Sequence, residues 1–151
     1  MSLKFRLEHD SFGELLVPFD ALYGAQTQRA MQNFRISGLP MPAEFIQAMA
    51  LIKAAVAEAN GALGHLGKAQ SGAITRAAQA IAAGEYADQF PVDVFQTGSG
   101  TSTNMNLNEV IAGLVKRQTK LDIHANDHVN LGQSSNDVVP SSSLLACTLM
   151  L

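Results

Sequence analysis

Thr97-Gly98-Ser99-Gly100-Thr101-Ser102-Thr103-Asn104-Met105-Asn106, running on into Leu107-Asn108-Glu109-Val110-Ile111, is the stretch on which the fold turns. Its second half has Leu107, Val110, Ile111, Leu114 and Val115 at i, i+3, i+4, i+7 and i+8, the spacing of one apolar helical face. Asn106 with Glu109 resembles a capping box, which predicts a helix start beside the glycine loop. Unpaired N–H groups and the positive dipole end make such a start favourable for an anion. Glycines allow close backbone approach, and Ser99 and Thr101 add hydroxyl donors. A tight turn with a helix cap accounts for the same residues, so both readings stand at this level.

Downstream the pattern returns. Gln133-Ser134-Ser135-Asn136-Asp137 precedes another helix, predicted from about Asp137 with Pro140 in its first turn. Asn136 or Asp137 alone reads as an N-cap. Two such loops flanking one helix favour a shared site, and both ends of a small dicarboxylate would need donor clusters of this kind. Between them lies His124-Ala125-Asn126-Asp127-His128, whose spacing fits no standard zinc pattern. It reads as an Asp–His turn network or as a second, weaker anion loop.

Upstream, Phe5–Glu8 and Leu15–Pro18 read as short extended pieces joined by a turn at Asp10-Ser11-Phe12-Gly13. Thr27-Gln28-Arg29 offers an anion contact or simply a solvated helix start, the latter being the simpler account. A helix is predicted over 43–60 with Ile46, Met49, Ile52, Val56 and Ala59 as its apolar stripe. Gly61, Gly64 and Gly67 end it. A phosphate-loop reading of Lys68 fails on glycine spacing and on Ala69 in place of Ser/Thr, and His65 is a loop residue. A second helix, 69–83, places Ile74, Ala77, Ala78 and Ile81 on one side, with Gly84 where a C′ glycine belongs. Thr103 stands where a dinucleotide fingerprint needs its third glycine, so that motif is absent too. The class is mainly α.

The 151 residues allow one domain with a real core. Only 15% are charged, which suits a chain that buries its surface in an oligomer or in a longer protein. A formal charge of −3 and Lys/Arg clusters no larger than a pair argue against nucleic acid and a membrane-binding patch. No apolar run approaches the ~20 residues that span a bilayer, and no secretory signal opens the chain, so a cytoplasmic location is expected. Cys147, among Leu144, Leu145, Leu149 and Met150, reads as a buried inert thiol. Leu149-Met150-Leu151 carries no stop signal, so these residues are expected to be the front part of a longer protein.

Four ordered segments resemble class II fumarases of the fumarase/aspartase superfamily. They are Arg6–Asp10 with Gly13 and Val17-Pro18; Tyr23–Arg29 with Asn33-Phe34; Gln96–Thr101 with Thr103–Asn106 and Asn108–Ile111; and Asn126–Asn130 with Gln133–Asp137. The resemblance implies the N-terminal domain of the fumarase/aspartase (L-aspartase-like) fold over 1–136. Residues 137–151 would open the central long-helix bundle. It implies a homotetramer with active sites shared between subunits and reversible trans-hydration of fumarate to L-malate, part of the tricarboxylic acid cycle, with no metal or organic cofactor. By the same resemblance Ser99, Gly100, Thr101, Ser134, Ser135 and Asn136 contact substrate, and His124, Ala125, Asn126 and Asp127 form a second dicarboxylate site. Ala125 stands where the family usually has Pro. The family's catalytic segments lie beyond Leu151, so no catalytic residue is expected within this chain, and the chain alone is expected to be inactive. An aspartate ammonia-lyase of the same superfamily is the alternative, though Gln26, Gln96–Ser99 and Ser135 look more like fumarase. A non-catalytic anion-binding or assembly module is the other, though assembly alone would need neither donor loop.

Overall fold

The structure, a computed structural model, describes residues 4–151. It opens with an antiparallel hairpin of β1 (Phe5–Asp10) and β2 (Gly13–Pro18), in register from Phe5 opposite Pro18 to Asp10 opposite Gly13. Among the described residues five α-helices follow: α1 (Ala25–Asn33), α2 (Ala43–Ala62), α3 (Lys68–Ala82), α4 (Thr101–Thr119) and α5 (Ser135–Leu149). The mainly helical class and the hairpin are as expected from the sequence. In the hairpin turn Asp10 Oδ1 accepts from Phe12 N–H at 2.8 Å, and Gly13 takes the positive φ of 114° that closes it.

α2 and α3 form a helical hairpin whose approach is set by small residues. A Cβ on Gly61 would collide with Ser71 Oγ, which instead donates to the Ala57 carbonyl at 2.8 Å. α4 packs across this pair and against α1, while α5 lies on α2 and α4. The core is Met49, Ala50, Ile74, Ala78, Ile81, Leu107, Val110, Ile111 and Leu114. The stripes predicted for α3 and α4 are all buried. Gly113 admits the Leu22 carbonyl, where a Cβ would collide. Arg6 ties this incoming strand down, donating to the carbonyls of Pro18, Phe19, Ala21 and Tyr23 at 2.6–3.1 Å.

Several local expectations are corrected. In α2 the buried residues are Phe45, Ile46, Ala48, Met49, Ala50, Lys53, Ala54 and Ala57, while Ile52 and Val56 are half-buried and Ala59 is exposed. Alanines packed against α3 take the interior, leaving the larger β-branched residues at its margin. α4 begins at Thr101, so Asn106 lies buried within it and caps nothing. Glu109 faces α1 instead. Its carboxylate accepts from the N–H groups of Gly24, Gln26 and Thr27 at 2.9–3.0 Å and from Thr27 Oγ1 at 2.6 Å. This satisfies a helix start that has no capping side chain of its own. Pro140 stands in the second turn of α5, beyond a start at Ser135. Cys147 is exposed, because nothing packs on the outer face of α5 where Leu144, Leu149 and Met150 are also exposed.

Candidate functional site

The two donor-rich loops meet. Gly98–Gly100 forms a short 3₁₀ turn ahead of α4, and this turn packs against α5. Gly100 has φ +65°, and a Cβ there would come within 3.0 Å of Val139 Cγ1 on α5. Glycine is therefore required both for its left-handed backbone and for the close approach. Ser99, beside it, is also left-handed at φ 65°, ψ 13°, a conformation costing roughly 1–2 kcal/mol for a residue with a Cβ. Gln96 holds the turn from below: its Oε1 accepts from Thr103 N–H at 2.8 Å, and its Nε2 donates to Thr103 Oγ1 at 2.7 Å and to the Asp93 carbonyl at 2.8 Å. Ser99 and Thr101 are left exposed, with Gly100 half-buried between them.

On the facing loop Ser134 is the N-cap of α5, its Oγ accepting from Asn136 N–H at 3.2 Å. Ser134 and Asn136 are exposed and Ser135 is half-buried. Ser135 Oγ accepts from Asn104 Nδ2 at 3.0 Å, which leaves its own proton to donate outward. Pro140 has no N–H, so the Asn136 carbonyl lacks its usual helical donor. All six residues expected in one site thus lie at the adjoining N-terminal ends of α4 and α5.

Behind them is a polar layer that sequence reasoning missed. Asn130 Oδ1 accepts from Lys53 Nζ at 3.0 Å and from Asn104 Nδ2 and Asn108 Nδ2, each at 3.2 Å. Lys53 Nζ also donates to Gln133 Oε1 at 2.8 Å, and Gln133 Nε2 donates to the Val129 carbonyl at 2.8 Å. Lys53 is 0% exposed. Burial pushes its pKa down to about 7. The signal available was a lysine sharing a helical face with Ile46, Met49 and Ala57. Asn104, Asn106 and Asn108 alternate with Met105 and Leu107 at the start of α4, and each keeps a buried Oδ1 without a partner.

The 124–127 residues gather elsewhere, in one wide π turn spanning Ala125–Val129. His124 Nδ1 lies 3.1 Å from Asp127 Oδ2 and 3.3 Å from Asp127 N, and His128 Nδ1 accepts from His124 N–H at 2.8 Å. The turn closes on its own hydrogen bonds, with Ala125 accepting from Asn130 N–H at 3.1 Å, so it forms without proline. His124, Ala125 and Asn126 line an open groove of about 940 Å³ with Arg6, Lys116 and Arg117. Arg117 is already committed to the carbonyls of Asp20 and Ala21 at 2.9 and 3.1 Å. Arg29 is committed too. It makes a two-point pair with Asp10 at 2.8 and 2.9 Å, and this pair holds the Asp10 carboxyl below its usual range.

Comparison with known proteins gives these loops a context. The family described as Lyase matches residues 13–151. The chain belongs to this lyase family. It is similar to the fumarate hydratase class II of Xylella fastidiosa (strain Temecula1), 60% identical over 97% of this chain and 31% of that protein. The Halobacterium salinarum fumarate hydratase class II is 52% identical over 97% of this chain and 32% of its own length. Among solved structures, the class II fumarase of Schistosoma mansoni superposes with a TM-score of 0.94 at 38% identity, over 97% of this chain and 32% of that one. The fumarate lyase:delta crystallin of Brucella melitensis gives 0.93 at 42% identity, covering 97% and 36%. The chain spans about a third of the length of the curated relatives it matches. The lyase membership and the N-terminal domain of the fumarase/aspartase fold are those the sequence resemblance implied. Among the described residues no helix is long and apolar enough to cross a membrane.

Proposed function

We propose that this chain supplies carboxylate-gripping walls of a fumarate hydratase, which adds water reversibly across fumarate to give L-malate. Ser99, Gly100, Thr101, Ser134, Ser135 and Asn136 are the substrate contacts in this reading. The observation that carries it is the meeting of two neutral donor loops at the starts of α4 and α5, with Ser135 Oγ turned into an outward donor by Asn104. Removing a proton beside a carboxylate builds an aci-carboxylate dianion. Preorganised donors that hold this dianion more tightly than the substrate lower the barrier. The proton-abstracting base comes from outside these 151 residues, so the chain alone forms no malate. The relatives' names, fumarate hydratase class II, support this choice over an aspartate ammonia-lyase.

The working enzyme is a homotetramer in this reading, located in the cytoplasm, with residues 1–136 as an N-terminal domain and 137–151 opening the central bundle. Exposed apolar residues support docking onto further protein: Leu7 opposite Leu16 on the hairpin, and Leu144, Leu149 and Met150 on α5. His124, Ala125, Asn126 and Asp127 form a second dicarboxylate site in this reading, the first three of them lining the large groove. The test is a hybrid in which this chain replaces the matching N-terminal third of the Xylella fastidiosa relative. Hydration of fumarate with kcat/KM within about tenfold of the parent, and loss of ~10²–10³ in rate on Ser135→Ala, is the expected result. A folded hybrid without hydratase activity, or one indifferent to Ser135, overturns the reading.

A further inference from the structure

Lys53 is a buried cation in the most expensive place available, and no carboxylate compensates it. Its Nζ meets only the side-chain oxygens of Asn130 and Gln133. The titratable groups on the elements around it are Glu44 and Glu58 on α2, Lys68 and Arg76 on α3, and Glu109, Lys116 and Arg117 on α4. Lys120, Asp122, His124, Asp127 and His128 lie in the segment before α5, with Asp137 and Cys147 on α5. None of these makes a hydrogen bond or ion pair with Lys53. A purely structural position of this kind is served better by an apolar side chain, since an unpaired buried charge is costly.

What the lysine does reach is the back of the α5 loop. Gln133 directly precedes Ser134. Asn130 Oδ1 accepts from both Lys53 Nζ and Asn104 Nδ2, and the second Nδ2 hydrogen of Asn104 holds Ser135 Oγ. Three contacts of 3.0, 3.2 and 3.0 Å therefore run from the ammonium to the serine hydroxyl. The face turned outward carries neutral donors, and Asp137 in the first turn of α5 is the charge on that side.

We propose that Lys53 is a positioning residue for the α5 loop: through Asn130, Gln133 and Asn104 it sets Ser134 and Ser135 as outward donors, and its ammonium charge couples binding of a dicarboxylate there to proton uptake. This rests on the carboxylate reading above. Lysine suits the role because it gains a proton when an anion arrives and gives it up when the anion leaves. With Nζ neutral, Asn130 and Gln133 lose part of the polarisation that orients them. A unit charge about 10 Å from a bound anion, at an effective dielectric near 20, changes affinity roughly tenfold.

The test is an NMR titration of the 151-residue chain with fumarate, which is a dianion throughout pH 6–9. Amides of Ser99–Thr101 and Ser134–Asn136 report binding, and the Lys53 Cε/Hε signals report its protonation. The expected results are a Lys53 midpoint about one pH unit higher with fumarate than without, and affinity about tenfold weaker at pH 9 than at pH 6. Lys53→Arg, charged at every pH, should flatten that pH dependence and keep the tighter affinity, and Lys53→Met should flatten it at the weaker one. If fumarate moves neither loop, the carboxylate reading falls and this inference with it. If fumarate binds at Ser134–Asn136 but the Lys53 midpoint stays put, the inference alone is overturned, whether or not the variants fold.

Discussion

The most exposed consequence of a buried Lys53 is a stability that climbs with pH where most proteins are flat. Its pKa is about 7 in the folded chain against 10.5 ordinarily, and the side chain is fully inaccessible. Between those two values the unfolded chain holds a proton that the folded chain has released. Stability therefore rises with pH across this window, by up to about 1.36 kcal/mol per pH unit, and the charged lysine is most destabilising below pH 7. Integrated from pH 6 to pH 9, the gain is about 2.5 kcal/mol, which for a chain of this size raises Tm by roughly 5–10 °C. The charge is shielded from solvent, so added salt leaves most of the effect in place. Lys53→Met removes the titrating group while keeping most of the volume. It leaves Gln133 Oε1 without its donor, an offset of about 1–3 kcal/mol that is the same at both pH values. Urea unfolding at pH 6, 7.5 and 9 for both chains, at fixed ionic strength, isolates the lysine, because every other group is common to the two chains and cancels in the difference. A rise of equal size in Lys53→Met and the parent, or no rise in the parent, would refute the account.

Three further changes separate the parts of the site. Glu109→Ala strips four hydrogen bonds from the start of α1 and should cost about 2–3 kcal/mol, a Tm loss near 5–10 °C by calorimetry, with Glu109→Gln intermediate. Gly100→Ala meets Val139 Cγ1 at 3.0 Å in a left-handed backbone, so the loop must shift. In the hybrid enzyme the rate should drop on the order of 10–100-fold, with Val139→Ala recovering part of it in a kcat/KM assay. Ser99→Gly relieves the left-handed strain and removes a donor at once. Thermal unfolding should show a gain of up to about 1 kcal/mol, while hydration by the hybrid falls ~10²-fold or more.

How far the residues disclose this arrangement depends on whether the deciding partner is local. The α4 stripe is legible because Leu107, Val110, Ile111, Leu114 and Val115 all face the same neighbours, and all are buried. The α2 stripe is legible only at Ile46 and Met49, because Ala48, Ala50, Ala54 and Ala57 take much of the remaining burial, and alanines leave little periodic contrast. The glycine loop and Ser134–Asn136 stand out by composition alone. Glu109 misleads for the opposite reason: three residues after Asn106 it matches a local capping pattern, yet its partners lie 82 to 85 residues away in sequence. The Lys53–Asn130–Asn104 layer is likewise assembled only by tertiary contact, and a single lysine in an amphipathic helix ordinarily points to water.

The positions where this chain departs from ordinary local preference are not scattered. Tyr86 and Lys120 are left-handed, but each sits at a helical terminus, where that conformation closes or opens a turn. The departures without such an excuse are Ser99 in a left-handed turn, Pro140 inside α5 and Lys53 in the core. Each is disfavoured by itself, and each lies on or directly behind one of the two donor loops. A sequence free to maximise stability would replace Ser99 by glycine, Pro140 by a residue with an N–H, and Lys53 by a methionine or leucine. That all three lie on or close behind the two donor loops, which the Gly100–Val139 approach and the asparagine layer hold together, is the pattern expected where binding geometry, rather than folding, sets the residue.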